Sequence, residues 1–371
     1  MRSRKRRVAC IAGARPNFMK IAPIMRALNR SQELEGVVVH TGQHYDANMS
    51  DIFFEELGIP RPEFNLNVGG GPHGVQTGQI MVAFDEAFEE LSPDLVLVVG
   101  DVNSTIACAL VATKRHVPVA HVEAGLRSFD RSMPEEINRI LTDQISDLLF
   151  TTEESAARNL EREGVCEKRI HFTGNTMIDT LARMLPEIER TDAPRSLGLS
   201  VPYGVTTFHR PSNVDREEIL RALVNWMIEE SERVHLVFPV HPRTKSRLES
   251  AGLWPTLRRL PGVTLLEPLP YTRFLGLVRG SRFVVTDSGG IQEETTWLGV
   301  PCLTQRTTTE RPVTVDLGSN VLLGEDFRAT HRTISAILTG EFEHGKRPPL
   351  WDGHCAERIV AVLERQLAER N

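Results

Sequence analysis

Three carboxylates in the first half of the chain could act as general acids or bases. Glu123 directly follows an apolar strand predicted at 117–122, a position where an ionisable side chain is hard to explain by structure alone. Asp101 follows a strand predicted at 95–99, but there it could also cap the next helix. Glu135 opens a predicted helix, where an acidic residue simply suits the helix dipole. Together, the three indicate proton transfer as a candidate chemistry.

A glycine turn after the first predicted strand could bind an anion. Gly13 is followed by Arg15 and Lys20 at the start of a predicted helix. A helix N-terminus with two nearby cations attracts anionic groups. The alternative is a helix start with solvated charges. The segment lacks the GxGxxG spacing, so a dinucleotide cofactor has little support.

A second glycine segment follows the strand predicted at 283–286 and is more specific. Gly289 and Gly290 would let backbone N–H groups approach a phosphate, and Ser288 adds a hydroxyl group. Glu294 lies one turn into the following helix, from which it could reach a ribose diol. The strand, glycine pair and helix together favour a nucleotide phosphate site.

Two histidines also follow predicted strands in the second half. His209 and Arg210 follow the strand at 205–208, and His241 follows the strand at 234–240. Either histidine alone would more often be an ordinary polar residue. The two histidine–cation pairs, His209 with Arg210 and His241 with Arg243, indicate an anionic ligand.

Strands and helices alternate along the whole chain, as in a parallel sheet covered by helices. The first series of strands is predicted at 8–12, 36–40, 95–99, 117–122 and 148–151, and the second at 205–208, 234–240, 263–266, 283–286 and 302–304. We therefore expect an α/β protein of two Rossmann-like, doubly wound domains that face a cleft. The first should span 1–173, with the final helix 356–371 packed back on it, and the second should span 174–355 and bind the nucleotide.

Composition excludes several other classes. The chain has 371 residues and a net charge of −6, so nucleic acid is not expected as a partner. Its five cysteines are scattered and lack CxxC spacing, which argues against a zinc site or a disulfide framework and favours a reducing cytoplasm. No apolar run approaches the ~18 residues of a membrane span.

Taken together, these segments resemble the non-hydrolysing UDP-N-acetylglucosamine 2-epimerases almost from end to end. The matching segments are 13–20 (GARPNFMK), 41–44 (TGQH), 100–104 (GDVNS), 121–127 (HVEAGLR), 134–139 (PEEINR), 209–210 (HR), 241–242 (HP), 286–294 (TDSGGIQEE) and 309–311 (TER). The resemblance implies a glycosyltransferase-B-like fold. It also implies a cytoplasmic homodimer that acts on a UDP-linked N-acetylamino sugar without cofactor or metal, for cell-surface polysaccharide precursors.

The resemblance further implies roles for individual residues. These are acid–base catalysis for Asp101, Glu123 and Glu135, with His209; contacts to diphosphate and substrate for Arg15, Lys20 and His209; a pyrophosphate cradle for Ser288, Gly289 and Gly290; ribose binding for Glu294; uracil binding for Phe274; and a substrate or phosphate contact for Arg311. One position departs from the family, because Ser212 stands where many bacterial relatives carry an acid.

The chemistry of C2 inversion suggests how such residues would act. The C–H bond at C2 is weakly acidic, and no dinucleotide motif is present to oxidise the sugar. Expulsion of UDP places positive charge on the ring, after which a carboxylate can remove the C2 proton. Re-protonation from the other face and re-addition of UDP complete the inversion. Which of Asp101, Glu123 and Glu135 is base and which is acid stays open.

Four alternatives share parts of this site. A glycosyltransferase of the same fold would need an acceptor site and has no use for three carboxylates. A hydrolysing epimerase would let water capture the intermediate. An epimerase of a related sugar, such as a UDP-diacetamido uronate, would use the same residues. A sugar-nucleotide sensor would bind without turnover, and one conversion assay distinguishes it.

A second pocket for the substrate as activator is also implied by the resemblance. Its candidate residues are Gln43, His44, Gln76, Glu136, Arg210 and His241. Two positions differ from bacterial relatives, which carry Gln where this chain has Asp46 and Arg where it has Val75. An added carboxylate and a lost cation oppose diphosphate binding. We therefore predict little or no activation by UDP-N-acetylglucosamine.

Overall fold

A computed structural model describes residues 4–42, 57–199 and 201–369. The contacts divide the chain into two compact units. Unit 1 comprises Met1–Ala182 and Pro349–Asn371, and unit 2 comprises Arg183–Pro348. No helix in the described ranges is long and apolar enough to cross a membrane.

Unit 1 is built on a parallel sheet with the strand order β3-β2-β1-β4-β5-β6-β7. Its strands are β1 Arg6–Ala12, β2 Leu34–His40, β3 Phe64–Asn65, β4 Leu95–Val99, β5 Val119–Ala124, β6 Leu148–Thr151 and β7 Ile170–Phe172. Its helices are α1 Arg15–Arg30, α2 His73–Leu91, α3 Asn103–Lys114, α4 Pro134–Ile145, α5 Glu154–Arg162 and α6 Thr176–Arg190, which continues past Ala182, followed much later in the chain by α16 Cys355–Ala368.

Unit 2 is built on a second parallel sheet with the order β10-β9-β8-β11-β12-β13. Its strands are β8 Tyr203–Thr207, β9 His235–Pro239, β10 Val263–Leu266, β11 Val284–Thr286, β12 Cys302–Thr304 and β13 Asn320–Leu322. Its helices are α7 Ala193–Ser196, α8 Pro211–Val214, α9 Glu217–Ser231, α10 Pro242–Ser250, α11 Trp254–Arg258, α12 Tyr271–Gly280, α13 Gly289–Leu298, α14 Val313–Asp316 and α15 Phe327–Thr339.

Each sheet forms the centre of a hydrophobic core. The central strands are rich in apolar residues that are buried on both faces, as parallel sheets covered by helices require. In unit 1, Val96 and Val98 pack with Phe84 of α2. In unit 2, Phe238 packs with Phe208, whose ring centroid lies 6.5 Å away. Two doubly wound α/β units confirm the predicted fold class.

The strand order reverses once in each sheet, and ligands of such folds bind at that reversal, beyond the carboxyl ends of the strands. In unit 1 the reversal lies between β1 and β4, which are followed by Gly13 and Asp101. In unit 2 it lies between β8 and β11, which are followed by His209 and Asp287. Parallel topology therefore gathers the predicted residues of each unit at one edge.

Candidate active site

Asp101 is held by an arginine of the neighbouring helix α4. Arg139 donates to Asp101 Oδ2 from Nε at 3.0 Å and from Nη2 at 2.7 Å. Arg139 also pairs with Glu136, whose carboxylate accepts the backbone N–H groups of Ser128 and Phe129 at 3.0 and 2.9 Å. The Arg139 side chain is 4% exposed and that of Asp101 is 25% exposed. A fixed carboxylate that still reaches the surface suits proton transfer.

Glu123 occupies a strained position at the end of β5. Its φ is +72°, and the register of β5 against β6 shifts between Val122 and Ala124. A positive φ costs a non-glycine residue ~1–3 kcal/mol and occurs most often at functional sites. The Glu123 side chain is 6% exposed and forms an ion pair with Lys20 of α1. The bulge therefore takes Glu123 out of the regular alternation of side chains across the sheet. It turns the Glu123 carboxylate toward the buried ammonium group of Lys20.

Gly100 leaves room for this ion pair. It has a φ of +66°, and a Cβ atom there would lie 2.9 Å from Lys20 Nζ. Any side chain at this position would displace the ammonium group as well as strain the backbone. The close approach of Gly100 to Lys20 therefore links the Lys20–Glu123 ion pair to the segment that carries Asp101.

A buried histidine and aspartate tie the backbones near both carboxylates together. His121 Nδ1 lies 2.6 Å from Asp143 Oδ1, and His121 Nε2 lies 2.8 Å from the Gly100 carbonyl oxygen. Asp143 Oδ2 accepts the N–H of Gly125 at 3.0 Å and pairs with Arg127 at 2.8 Å. Although burial opposes ionisation, His121 and Arg127 hold the pKa of Asp143 below its usual range.

The remaining predicted residues of unit 1 differ in how far the structure describes them. Glu135 lies half-buried in the first turn of α4. Arg15 begins α1, but its side chain lies outside the described part of the structure, as do residues Gln43, His44 and Asp46. Their predicted roles remain predictions.

In unit 2, His209 is oriented by Asp287 of the adjacent strand end. His209 Nδ1 lies 2.9 Å from Asp287 Oδ1, and their side chains are 40% and 0% exposed. Asp287 also accepts the backbone N–H groups of His209 and Arg210, at distances from 2.9 to 3.1 Å. Burial opposes ionisation of Asp287, but its hydrogen bonds and the His209 ring lower its pKa. With Nδ1 turned to Asp287, Nε2 is the nitrogen available to a ligand.

His241 lies near this pair but is bound differently. Its ring centroid is 5.6 Å from that of His209. His241 is exposed and caps α10, because its Nδ1 accepts the N–H of Arg243 at 3.2 Å. Partial burial, followed by the charge of His209, lowers its pKa.

The predicted phosphate cradle forms the start of α13. Ser288 is the N-cap residue, and the helix begins at Gly289. A Cβ atom on Gly289 would lie 3.0 Å from Glu310 Oε1 and 3.1 Å from Arg311 Nη1, whereas one on Gly290 would meet open space. A side chain at position 289 would therefore crowd Glu310 and Arg311, while Gly290 leaves the helix N-terminus accessible to an anion.

The other nucleotide-site candidates of unit 2 vary in exposure. Glu294 is buried in α13, and Phe274 is half-buried in the first turn of α12. Arg311 is buried between two carboxylates, with Glu293 Oε1 at 3.0 Å and Glu310 Oε1 at 2.6 Å. Their roles toward a nucleotide remain predictions.

Two candidates for the second pocket make contacts inside unit 1. Gln76 accepts from Asn103 Nδ2 at 2.7 Å and donates to the Gly69 carbonyl at 3.0 Å. Glu136 is occupied by Arg139 and two backbone N–H groups, as described above. Val75 is 55% exposed in the first turn of α2.

Sequence reasoning missed the partners that orient the predicted residues. These are Arg139, His121, Asp143 and Asp287. Asp287 directly follows a predicted strand, so its place in the sequence was a usable signal. His121 and Arg139 lie within the matching segments 121–127 and 134–139, and Asp143 lies outside them. The pairing of these three residues had no sequence signal, because their partners are distant in sequence.

Comparison with known proteins decides the family. A family model described as UDP-N-acetylglucosamine 2-epimerase matches residues 26–364. The chain belongs to this epimerase family. The UDP-N-acetylglucosamine 2-epimerase of Methanocaldococcus jannaschii is 42% identical over 363 residues, covering 96% of this chain and 98% of the relative. The UDP-2,3-diacetamido-2,3-dideoxy-D-glucuronate 2-epimerase of Pseudomonas aeruginosa is 43% identical over 321 residues, covering 86% and 88%.

Solved epimerase structures agree with this assignment. The M. jannaschii UDP-GlcNAc 2-epimerase in complex with UDP-GlcNAc and UDP has a TM-score of 0.87 at 42% identity, covering 97% of this chain and 99% of that one. The Neisseria meningitidis enzyme bound to UDP-GlcNAc has a TM-score of 0.88 at 28% identity, covering 97% and 100%. Epimerase relatives of this fold thus bind the nucleotide sugar that the sequence predicted.

Proposed function

We propose that this epimerase interconverts UDP-N-acetylglucosamine and UDP-N-acetylmannosamine by inversion at C2, for polysaccharide precursors. The observation that carries the proposal is the pair of carboxylates at one sheet edge of unit 1, Asp101 and Glu123, each held by its own cation. A binding protein has no need of a strained, buried glutamate. The 42% identical relative with bound UDP-GlcNAc and UDP supplies the class of substrate.

The reaction begins with cleavage of the C1–O bond, whose electron pair leaves on UDP. Residues of unit 2 would stabilise the departing charge: the His209 ring fixed by Asp287, and the backbone N–H groups at the start of α13. Ser288, Glu294, Phe274 and Arg311 would hold the phosphates, ribose and uracil. The resemblance also assigns phosphate contacts to Arg15 and Lys20.

Proton transfer at C2 then falls to the carboxylates of unit 1. One carboxylate takes the C2 proton from the cationic ring, leaving a glycal-like intermediate and UDP. A second carboxyl group, which is protonated, returns a proton to the opposite face as UDP re-adds at C1, and proton exchange with water then resets both groups. Two faces require two groups, and Asp101, Glu123 and Glu135 are the candidates.

A related sugar is the second candidate substrate. The P. aeruginosa relative, named for a diacetamido glucuronate, is as similar to this chain as the M. jannaschii enzyme. Both sugars would undergo the same inversion at C2. Only the groups at C3 and C5 differ, so turnover of the two UDP-sugars must be compared directly.

We also propose a homodimer that acts in the cytoplasm. The exposed side chains Val75 and Val82 of α2 lie on one apolar surface with Ala83, which a second copy would cover. Light scattering of the native protein and of a Val82→Glu variant tests this assembly. Four of the free cysteines are buried and one is exposed, as suits a reducing compartment.

The test of the function is incubation with UDP-GlcNAc in heavy water, followed by proton NMR. We expect UDP-ManNAc that carries deuterium at C2, without added NAD or metal. Product without deuterium, strict dependence on NAD, or release of free sugar and UDP would overturn the mechanism. If the protein converts the UDP-diacetamido glucuronate but not UDP-GlcNAc, the second candidate is its substrate.

A further inference from the structure

Arg306 follows the end of β12, next to the strands that carry His209 and Asp287. Strands β8, β11 and β12 are adjacent and parallel. The residues that follow them therefore emerge at the same edge of the sheet. Arg306 thus shares the position in the fold that the nucleotide-site residues of unit 2 occupy, although the sequence motifs did not single it out.

The backbone at Arg306 is fixed to the His209–Asp287 pair. The N–H of Gln305 donates to the Thr286 carbonyl at 2.8 Å. Asn213 Nδ2 bridges Asp287 Oδ2 at 3.1 Å and the Gln305 carbonyl at 3.0 Å. The arginine is therefore presented on a rigid segment rather than on a free loop.

Its guanidinium group ends a buried row of alternating charges. Arg306 Nη2 lies 2.8 Å from Glu310 Oε2, and Glu310 Oε1 lies 2.6 Å from Arg311 Nη1. Arg311 in turn pairs with Glu293. Every side chain in the row is at most 9% exposed. Because positive and negative charges alternate along the row, the group that continues the row beyond Arg306 would be an anion.

One donor of this guanidinium group has no role within unit 2. Arg306 Nη1 is buried and makes no hydrogen bond to the residues that the structure describes. A buried donor of a charged group is costly to leave unsatisfied. A purely structural arginine would be expected to use both amino groups, as Arg139 does with Asp101 and Glu136.

A second cation, Arg210, lies near Arg306. Arg210 is half-buried and forms no ion pair with the described residues. Burial, and then the nearby charge of Arg306, lowers its pKa. The row also adjoins the N-terminus of α13, since Gly289 abuts Glu310 and Arg311. Cations and a helix N-terminus together favour a phosphate group.

We propose that Arg306 is a further phosphate-binding residue, whose Nη1 donates to a phosphate oxygen of the nucleotide sugar. The assignment rests on the proposed function for the identity of the ligand. Glu310 is then a positioning residue, because it holds Nη2 and leaves Nη1 directed to the anion.

The test compares UDP with uridine, which lacks the phosphates. UDP binding is measured by calorimetry, and uridine binding by displacement of UDP, for wild type, Arg306→Gln and Arg306→Lys. Arg332→Gln is the matched control, because Arg332 is an exposed arginine of α15. We expect Arg306→Gln to weaken UDP by about 10- to 100-fold, the range of a hydrogen bond to a charged group, with uridine unchanged. The UDP affinity of Arg306→Lys should lie between that of the wild type and that of Arg306→Gln.

Rescue separates a binding role from a folding role. Millimolar methylguanidinium should restore UDP affinity to Arg306→Ala but not to the Gly289→Ala variant. Equal loss of UDP and uridine affinity, or unchanged UDP affinity in all Arg306 variants, would overturn the proposal. If Arg306→Gln does not fold, the UDP and uridine affinities of Arg306→Lys test the proposal in the same way. These titrations do not depend on turnover, so a wild type that binds UDP but leaves UDP-GlcNAc unchanged would refute only the proposed function.

Discussion

The ammonium group of Lys20 pairs with the carboxylate of Glu123 in the interior of unit 1, where the backbone of Glu123 has a φ of +72°. The two side chains are 7% and 6% exposed. The pair therefore joins helix α1 to a strained strand end. Both its charge and its strain must be offset by the surrounding fold.

Removing the cation alone should damage both stability and catalysis. We expect Lys20→Met to lower the free energy of unfolding by about 3–5 kcal/mol, because Glu123 is left as a buried, unpaired charge. Restoring neutrality with Lys20→Met/Glu123→Gln should recover much of this loss in urea unfolding, while kcat stays low. An unchanged free energy of unfolding in Lys20→Met would show that the ion pair does not stabilise the fold. Lys5→Met, at an exposed lysine that donates to the Ser31 carbonyl, is the control.

The candidate catalytic carboxylates and the candidate nucleotide-site residues should respond differently to substitution. Asp101→Asn, Glu123→Gln and Glu135→Gln should each lower kcat by roughly 10²-fold or more, the scale of acid–base catalysis, with UDP affinity little changed. Arg15→Ala and Glu294→Ala should instead weaken UDP binding. The control is Glu154→Gln, an exposed glutamate of α5. Near-normal turnover in all three carboxylate variants would place the chemistry elsewhere, and unchanged UDP affinity in both nucleotide-site variants would refute that assignment.

Much of the fold followed from the sequence, because long apolar runs dictate the central strands. The strands β1, β4 and β8 were predicted within a residue or two at their ends. The edge strands β3, Phe64–Asn65, β7, Ile170–Phe172, and β13, Asn320–Leu322, were not predicted. Two or three residues carry no periodicity, and only pairing with a neighbouring strand defines them.

The candidate site was predictable in residue type but not in its contacts. Asp101, Glu123 and His209 were found because they follow strands. The partners Arg139 and Asp287 lie 38 and 78 residues away from the side chains that they hold, so their pairing depends on tertiary structure. Arg306 also follows a predicted strand, and the same rule applied to that strand would have found it. The bulge at Glu123 has no sequence signal that we can identify.

Asp179 should give the stability of unit 1 a distinct pH dependence. Burial raises its pKa from 3.8 to about 6, against the hydrogen bonds from the N–H groups of Cys355 and Ala356. The native state therefore binds a proton more tightly than the unfolded chain. The resulting stabilisation is fully present below pH 3.8 and is lost as the pH rises through about 6.

Asp179→Asn removes this titration and isolates its effect. The free energy of unfolding of the wild type, minus that of the variant, should fall by about 2–3 kcal/mol between pH 4 and pH 7.5. Urea unfolding at a series of pH values measures the difference. A difference that is constant with pH, or that grows as the pH rises, would contradict the raised pKa of Asp179.

The last prediction concerns activation by the substrate itself. The resemblance to bacterial relatives that need UDP-GlcNAc in a second pocket implies that those relatives carry an arginine at the position of Val75 and a glutamine at that of Asp46. Val75 is exposed on α2 and offers no charge to a diphosphate, while Asp46 adds a negative charge at a position outside the described residues. Each change could cost on the order of 1–3 kcal/mol, which weakens such a pocket ten- to a hundredfold or more. Gln76, a further candidate for the pocket, already bonds to Asn103 and Gly69.

We therefore expect pure UDP-ManNAc to react without a lag, and trace UDP-GlcNAc to leave the initial rate unchanged. Early time points by proton NMR measure both. The double variant Asp46→Gln/Val75→Arg should make the reverse reaction respond to UDP-GlcNAc, whereas Glu90→Arg, a cation placed elsewhere on the exposed surface of α2, should not. A long lag in the wild type that trace UDP-GlcNAc abolishes would show that the pocket functions despite Asp46 and Val75, since the activator then binds without the arginine.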